Sequence, residues 1–344
     1  MAARLQIWRG KLMSPDARLS LVNSVLSAIL VHLLMSFKLN SWAIKQMNKL
    51  RRNFLWRSRP NSDKGMPLVN WSTVCRPKSL GGLGILDIRR FSRALRLRWK
   101  WYDWTNKGRP WAGSELPCDK EDLALFHAST LVTIGNGLTA SFWHDRWLDG
   151  QASRHLAPDI FRLCSRKKIS FSDAIARKTW MIELHRISLV SELHQFTSLW
   201  LRVQQINLSA DTEDSIAWVW NDSKVYTAAS AYQCQFLGSF ANMHFDKLWS
   251  AKVEPKCHFF MWVWLRARIL TNNNLEARGI PHSELCNLCD QHDETPLHLI
   301  LNCPYARSVW FLVVDDLGIP MLIPPTQPAT SIPLWWNDLA SRLG

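Results

Sequence analysis

Eighteen residues near the end of this 344-residue chain constrain its folding more than any others: CNLCDQHDETPLHLILNC, from Cys286 to Cys303. Cys286, Cys289, His298 and Cys303 form a C-x2-C-x8-H-x4-C set. Zinc in structural sites takes four thiolate or imidazole ligands in a tetrahedron, and Cys3His is one of the sets it accepts. A C-x2-C turn aims two sulfurs at one point, and H-x4-C returns two more ligands from a helix end. Cys303 precedes Pro304, which biases it out of the helical region to the place where the His298 helix stops. His292 is a rival ligand, but it lies two residues past Cys289 in an acidic turn. His298 is preferred because Leu297, Leu299, Ile300 and Leu301 surround it with core-forming residues. With all four positions filled, the reading is structural Zn2+ with no open position for a catalytic water.

The other five cysteines are scattered through the chain. They read as buried thiols in a reducing compartment, hence an intracellular protein, with nothing to choose between nucleus and cytoplasm. No secretory signal is seen. The apolar stretch from Leu19 to Phe37 carries Asn23, His32 and four serines. It is read as a buried core helix rather than a span, and no membrane partner is expected.

Charge is placed unevenly. Residues 1–110 hold 22 Lys/Arg against 4 Asp/Glu, and the rest of the chain 20 against 24. Such asymmetry predicts a polyanionic partner, RNA or DNA. Two predicted helices carry it. From about Trp42 to Arg59, Ile44, Met47, Leu50, Phe54 and Leu55 form an apolar stripe, with Lys45, Lys49 and Arg52 on another face. Over 87–104, Arg89, Arg93, Arg96 and Lys100 fall in one narrow stripe at 100° per residue, with Phe91, Ala94, Leu95, Trp101 and Tyr102 opposite. The sequence offers this second stripe no acidic partner nearby, which phosphates would supply. Arg98 lands on the apolar side, where its stem can snorkel outward.

Between and beyond these lie weaker signals. The glycines of SLGGLGI (79–85) fit neither nucleotide fingerprint and read as a turn. Residues 130–143 read as a hairpin about Asn136-Gly137, and 216–228 as a second about Asn221-Asp222. The run HDRWLD (144–149) has His, Asp and Arg together, but reads better as a capped turn beside Trp143 and Trp147 than as a catalytic group. Thr271 is a plausible N-cap of a short helix that Gly279 ends. The fold class is therefore α+β, mostly helical. The divisions are a basic helical region (1–110), a mixed middle region with hairpins (111–235), a zinc domain (236–317) and a Pro-rich linker with a short tail (318–344).

The zinc stretch and its lead-in resemble the reverse transcriptase zinc-binding domain of plant LINE-type (non-LTR) retrotransposon polyproteins. The residues that carry the resemblance are Trp249, Lys252, Pro255, Lys256, Phe259, Phe260 and Trp262, then Leu270-Thr271, Leu275, Arg278-Gly279, Cys286, Cys289, Glu294-Thr295, His298-Leu299, Cys303-Pro304 and Trp310. Upstream, RLSLVNSVLSAI, RRNFLW, GGLGILDIRRFSRALRLRWKW and IGNGLTASFWHDRWL are also similar to that family. The resemblance implies that residues 1–110 correspond to the helical thumb and connector after the polymerase palm. It also implies that the zinc domain assists nucleic-acid binding. Polymerase chemistry needs carboxylates that hold two metal ions. The one Asp-Asp pair, Asp315-Asp316, follows the zinc stretch and lacks the family's aromatic residue. The expectation is a non-catalytic, nucleic-acid-binding remnant of a retrotransposon polyprotein, with no enzyme activity. The alternative is a zinc-stapled relic that binds a protein partner and no nucleic acid.

Overall fold

Helical periodicity dominates the sequence, and among the described residues the fold is mostly helical with one small antiparallel pair of strands. The structure is a computed structural model and describes residues 12–57, 66–106, 108–111, 113–176, 178–181, 186–240, 243–319 and 328–342. In chain order the elements that matter are α1 (Pro15–Leu21), α2 (Val31–Ser36), α3 (Ser41–Arg57), α4 (Ile88–Thr105), α5 (Lys120–Ser129), β1 (Thr130–Thr133), α6 (Val190–Val203), β2 (Ser215–Trp218), α7 (Pro255–Leu265), α8 (Asn272–Glu276), α9 (Pro304–Asp316) and α10 (Ile332–Arg342). Shorter helical turns connect them.

Two compact units share the chain. The first comprises 1–30, 40–88 and 238–344, and the second 31–39 and 89–237. This divides the expected 1–110 region: its second basic helix, α4, belongs with the middle of the chain. The charge picture changes with it. The first unit's sequence carries 21 Lys/Arg against 13 Asp/Glu, and the second's 21 against 15. Counted by unit, the basic excess is shared almost evenly.

In the first unit, Asn40 caps α3 by accepting the Ala43 N–H at 2.8 Å, and Phe54 and Leu55 drop fully into the core. Arg59, expected on this helix, lies outside the described residues. Arg51 is fully buried: it donates to the Leu86 carbonyl at 2.9 Å and its guanidinium lies 5.7 Å from the Trp71 ring centre. α7 meets this core with Phe259, Trp262, Val263 and Trp264. Burying one such indole removes roughly 150–250 Å² from water, about 4–6 kcal/mol of transfer free energy. The glycines at 81–84 form the expected turn, and packing explains their identity. A Cβ on Gly81 would lie 2.7 Å from the Phe245 ring, and one on Gly82 only 1.9 Å from the Arg76 carbonyl oxygen. The Gly81 carbonyl accepts the Trp262 indole N–H at 2.8 Å.

One expectation fails here. The C-terminal tail is not all linker: α10 packs on the core through Ile332 and Trp335, whose ring meets Trp264 edge-on at 5.5 Å. Asn302 fixes the approach by exchanging two hydrogen bonds with the Ala329 backbone (2.9 and 2.8 Å). In addition, residues 15–36 form one helical run of 22 residues, long and apolar enough by length and composition alone to cross a membrane. Its few polar residues do not change that. Val22 and Leu26 on this run are nevertheless fully buried in the first unit's core.

In the second unit, Leu97, Trp101, Phe126, Phe142, Trp143 and Trp218 form the centre of an aromatic-rich core. The two predicted hairpins do not form. Instead their first strands pair with each other: Thr130 faces Trp218 and Thr133 faces Ser215 in antiparallel register. The physical reason is Asp214. Its carboxylate accepts the N–H groups of Gly135 and Gly137 (both 2.8 Å) and of Thr139 and Ala140 (both 2.9 Å). The Asn136-Gly137 turn is thereby tied to the start of β2 rather than folded back on β1. Burial pushes the Asp214 carboxyl up, but the four N–H bonds outweigh it and hold the pKa below the ordinary carboxylate range. Asp214→Ala leaves those donors without their acceptor. At roughly 1.5–3 kcal/mol for a hydrogen bond to a charged group, with water replacing part of the loss, it is expected to cost about 3 kcal/mol. Urea unfolding followed by tryptophan fluorescence measures this.

Candidate metal centre

The chain assembles the four predicted ligands with local backbone devices. The Cys289 and Asp290 N–H groups both reach the Cys286 carbonyl (3.3 and 2.8 Å). Asp290 then adopts a left-handed φ of 52°, which reverses the chain, and the His292 carbonyl accepts the Cys286 N–H at 2.8 Å. His298 opens a π-helical turn, His298–Asn302, closed by a Cys303 N–H to His298 carbonyl bond of 2.7 Å. In a regular α-helix, residues five apart point about 140° away from each other. The wider π turn brings His298 and Cys303 to one side. Cys303 leaves the helical region as expected (φ −62°, ψ 129°) and caps α9, which Pro304 opens.

The result is one cluster. Cys286 Sγ, Cys289 Sγ, Cys303 Sγ and a His298 ring nitrogen all lie within 4.8 Å of one another. Cys289 Sγ and His298 Nε2 are 3.4 Å apart. Zn–S near 2.3 Å and Zn–N near 2.0–2.1 Å give tetrahedral edges of about 3.5–3.8 Å, so the donor set and its spacing fit a zinc ion. Cys286, His298 and Cys303 are buried. Burial, reinforced by His292, lowers the His298 pKa, which keeps the imidazole neutral and able to ligate. At Cys289 burial acts upward, but hydrogen bonds from the Gln291 and His292 backbone and from the two neighbouring thiols prevail and lower its pKa. His292 itself stays exposed, with its ring 5.6 Å from that of His298, and is not part of the cluster. Among the described residues no other His, Cys, Asp or Glu group has metal-binding geometry. Asp315 and Asp316 sit exposed at the end of α9.

Two supports behind the ligands were not recognised as such in the sequence. Glu294, 6 % exposed, accepts the Asn272 N–H on one oxygen (3.2 Å) and the Asn287 N–H on the other (3.3 Å). It thus caps α8 in place of the Thr271 side chain, which makes no cap bond. The Asn272 amide donates to the Leu285 carbonyl at 2.9 Å. Together they tie the Cys286–Cys289 turn to α8. The signal lay in a buried-type spacing, with Glu294 four residues before His298, but the chemistry of a capping acid is not visible without the fold.

The predicted basic residues fare differently. Lys45 and Lys49 are exposed on α3, Arg52 is half-buried, and none of the three forms an ion pair among the described residues. Arg89 is exposed at the start of α4. The rest of the α4 stripe is not unpartnered as expected. Asp122, fully buried on α5, accepts Arg93 Nε at 3.2 Å and Arg96 Nε and Nη2 at 2.8 and 3.0 Å. Glu121 also pairs with Arg93, and Lys100 pairs with Asp103 at 3.0 Å. Arg96 is only 5 % exposed. Glu121 and Asp122 come from just beyond residue 110, outside the window in which the charge was counted, whereas Asp103 lies within it. Arg98 is exposed and donates to the Tyr102 hydroxyl (2.9 Å). Trp99 and Trp104 serve packing: Trp104 is core, and the Trp99 indole donates to the Met35 carbonyl.

The HDRWLD run is a capped turn. Asp145 accepts the Ser141 N–H at 2.7 Å and faces His127 Nδ1 at 2.8 Å. His144 lies against Arg154, and burial followed by the charges of Arg154 and His127 lowers its pKa to about 4.

Comparison with known proteins places this site. Residues 226–310 match the family described as zinc-binding in reverse transcriptase. Over 350 aligned residues the chain is 24 % identical to an Arabidopsis thaliana protein named "Putative ribonuclease H protein". The alignment covers 92 % of this chain and 55 % of that protein, so the chain spans little more than half the length of the curated relative it matches. No solved structure matches the chain.

Proposed function

We propose that this chain is a nucleic-acid-binding, non-catalytic remnant of a non-LTR retrotransposon polyprotein, held in shape by one structural zinc ion. The observation that carries the zinc part of the reading is that the segment matched as zinc-binding, 226–310, brings its Cys3His set into one closed cluster with all four members within 4.8 Å. Cys286, Cys289, His298 and Cys303 hold the ion. Its chemistry there is structural, since four protein ligands complete a tetrahedron. Lys45, Lys49 and Arg52 on α3, with Arg89 on α4, supply phosphate contacts. Arg93, Arg96 and Lys100 contribute indirectly, because their charges are already met by Asp122, Glu121 and Asp103.

The full chain is expected to bind fluorescein-labelled single-stranded RNA and duplex DNA at low salt. Log affinity should fall with log salt at a slope of about −0.7 to −0.9 per neutralised phosphate. A Lys45→Gln/Lys49→Gln/Arg52→Gln variant should reduce that slope by about 2 to 3. Fluorescence anisotropy across a potassium chloride series reads both, and an absence of binding at low salt refutes the proposal. Primer extension and RNA–DNA hybrid cleavage with Mg2+ should yield no product, and a template-dependent product would overturn the non-catalytic part.

One observation favours a second reading, a protein partner. α9 exposes Val309, Phe311, Leu312 and Val313, with Leu312 66 % accessible. A chain that binds neither nucleic acid at low salt leaves this reading in place.

A further inference from the structure

The first unit contains a cavity of about 520 Å³ whose charged lining is entirely cationic. Arg266, Arg268 and Arg278 line it, Asn70 and Thr73 add polar groups, and no carboxylate is among the lining residues. Guanidinium groups are rarely left in this condition, since a planar fork of N–H donors is well matched to a carboxylate or a phosphate. None of the three forms an ion pair among the described residues. Arg266 is held by the Gly81 carbonyl and between two rings, with its guanidinium carbon 5.1 Å from the Phe245 centre and 5.0 Å from that of Trp262. Its Nε–H is buried and has no acceptor among the described residues. Among the described residues the Arg278 guanidinium bonds only to the sulfur of Met66, a weak acceptor. Arg268 is exposed, and its guanidinium makes no hydrogen bond among the described residues.

These charges oppose one another. Burial and then Arg76 bring Arg266 down to about 10, and burial and then Arg268 lower Arg278. A bound anion would relieve that repulsion, and the remaining wall can accept more than an inorganic ion. Leu68, Val69 and Met243 give it an apolar side.

We propose that this cavity is a phosphate-ester site: Arg268 and Arg278 grip the phosphate oxygens, Arg266 sets the positive floor, and Leu68 and Met243 border the attached sugar or base. The inference rests on the nucleic-acid reading above for its preferred ligand, a backbone phosphodiester. A free nucleotide or pyrophosphate would present the same chemistry. The site lies in the unit that carries the zinc cluster, so it would give that unit a phosphate contact of its own, separate from the α3 lysines.

The test uses the full chain and an Arg268→Gln/Arg278→Gln variant, with far-UV circular dichroism and zinc content as checks on folding. Arg268→Gln alone, an exposed change, is read if the double variant misfolds. Labelled RNA and DNA report the phosphodiester arm by anisotropy over the salt series, and the thermal midpoint with and without pyrophosphate reports the free-phosphate arm. The double variant is expected to bind oligonucleotide about 10-fold more weakly, with a salt slope smaller by about 1 to 2. Oligonucleotide binding with unchanged affinity and slope overturns the cavity inference and leaves the nucleic-acid reading standing. If the parent chain binds no oligonucleotide, the nucleic-acid reading fails and the pyrophosphate arm decides. A midpoint rise in the parent that the variant lacks then supports a free phosphate-ester site, and no rise in the parent overturns it.

Discussion

Cys303→Ser is expected to abolish stoichiometric zinc and to unfold the segment from about residue 280 to 310. Structural zinc contributes an apparent binding free energy of about 10–16 kcal/mol at pH 7, and in a site formed only on folding that energy is folding energy. Losing one of four ligands therefore removes several kcal/mol. The damage should spread inward. Leu301, between His298 and Cys303, is 2 % exposed in the core shared by α3, α7 and α10. Trp264 and Trp310 donate to the Pro296 and Ile300 carbonyls on the same turn (2.7 and 2.9 Å). Cys286→Ser should behave alike. Two controls separate ligation from general perturbation: Cys257→Ser, an exposed cysteine far from the cluster in sequence, and His292→Gln, beside it but exposed. Both should keep one zinc per chain by elemental analysis. Full zinc in Cys303→Ser, or its loss in His292→Gln, would show that the ligand set is wrong.

How far the sequence could be read depended on the range of the interactions involved. The Cys3His cluster was legible because its four residues fall within 18 positions and the spacing alone restricts their geometry. Helix boundaries at Pro304 and near Trp42 were legible for the same reason, since caps are local signals. The strand pairing was not. Asn136-Gly137 is a strong hairpin signal, yet a carboxylate 77 residues onward captured the turn. Nothing within the 130–143 window announces Asp214. Arg51 adds to the count of basic residues in 1–110 but turns inward, and its partner carbonyl at Leu86 lies 35 residues away. The charge asymmetry was real as arithmetic and misleading as geometry, because a cut at residue 110 separated α4 from the acids of α5.

That separation makes the last large effect specific. Asp122→Ala is expected to destabilise the second unit by about 3–5 kcal/mol, the usual cost of removing one partner from a buried ion pair. Asp122 is fully buried and binds two guanidiniums, and it also accepts the Asp119 N–H at 3.1 Å in the capping box that starts α5. Without it, Arg96 would keep its contact with Ser92 but lose both carboxylate bonds while remaining buried. Pairing the change with Arg96→Met should recover part of the loss, since two apolar groups need no partner, and the recovered energy measures the coupling. With two units in the chain, a single unfolding transition is not assured, so the cleaner readout is native-state hydrogen exchange at α4 and α5 amides. Protection there should fall by about two to three and a half orders of magnitude, as about 1.4 kcal/mol per tenfold requires. A cost below about 1 kcal/mol would mean that Arg96 turns readily to solvent, which would return the α4 stripe to the set of residues available for phosphate.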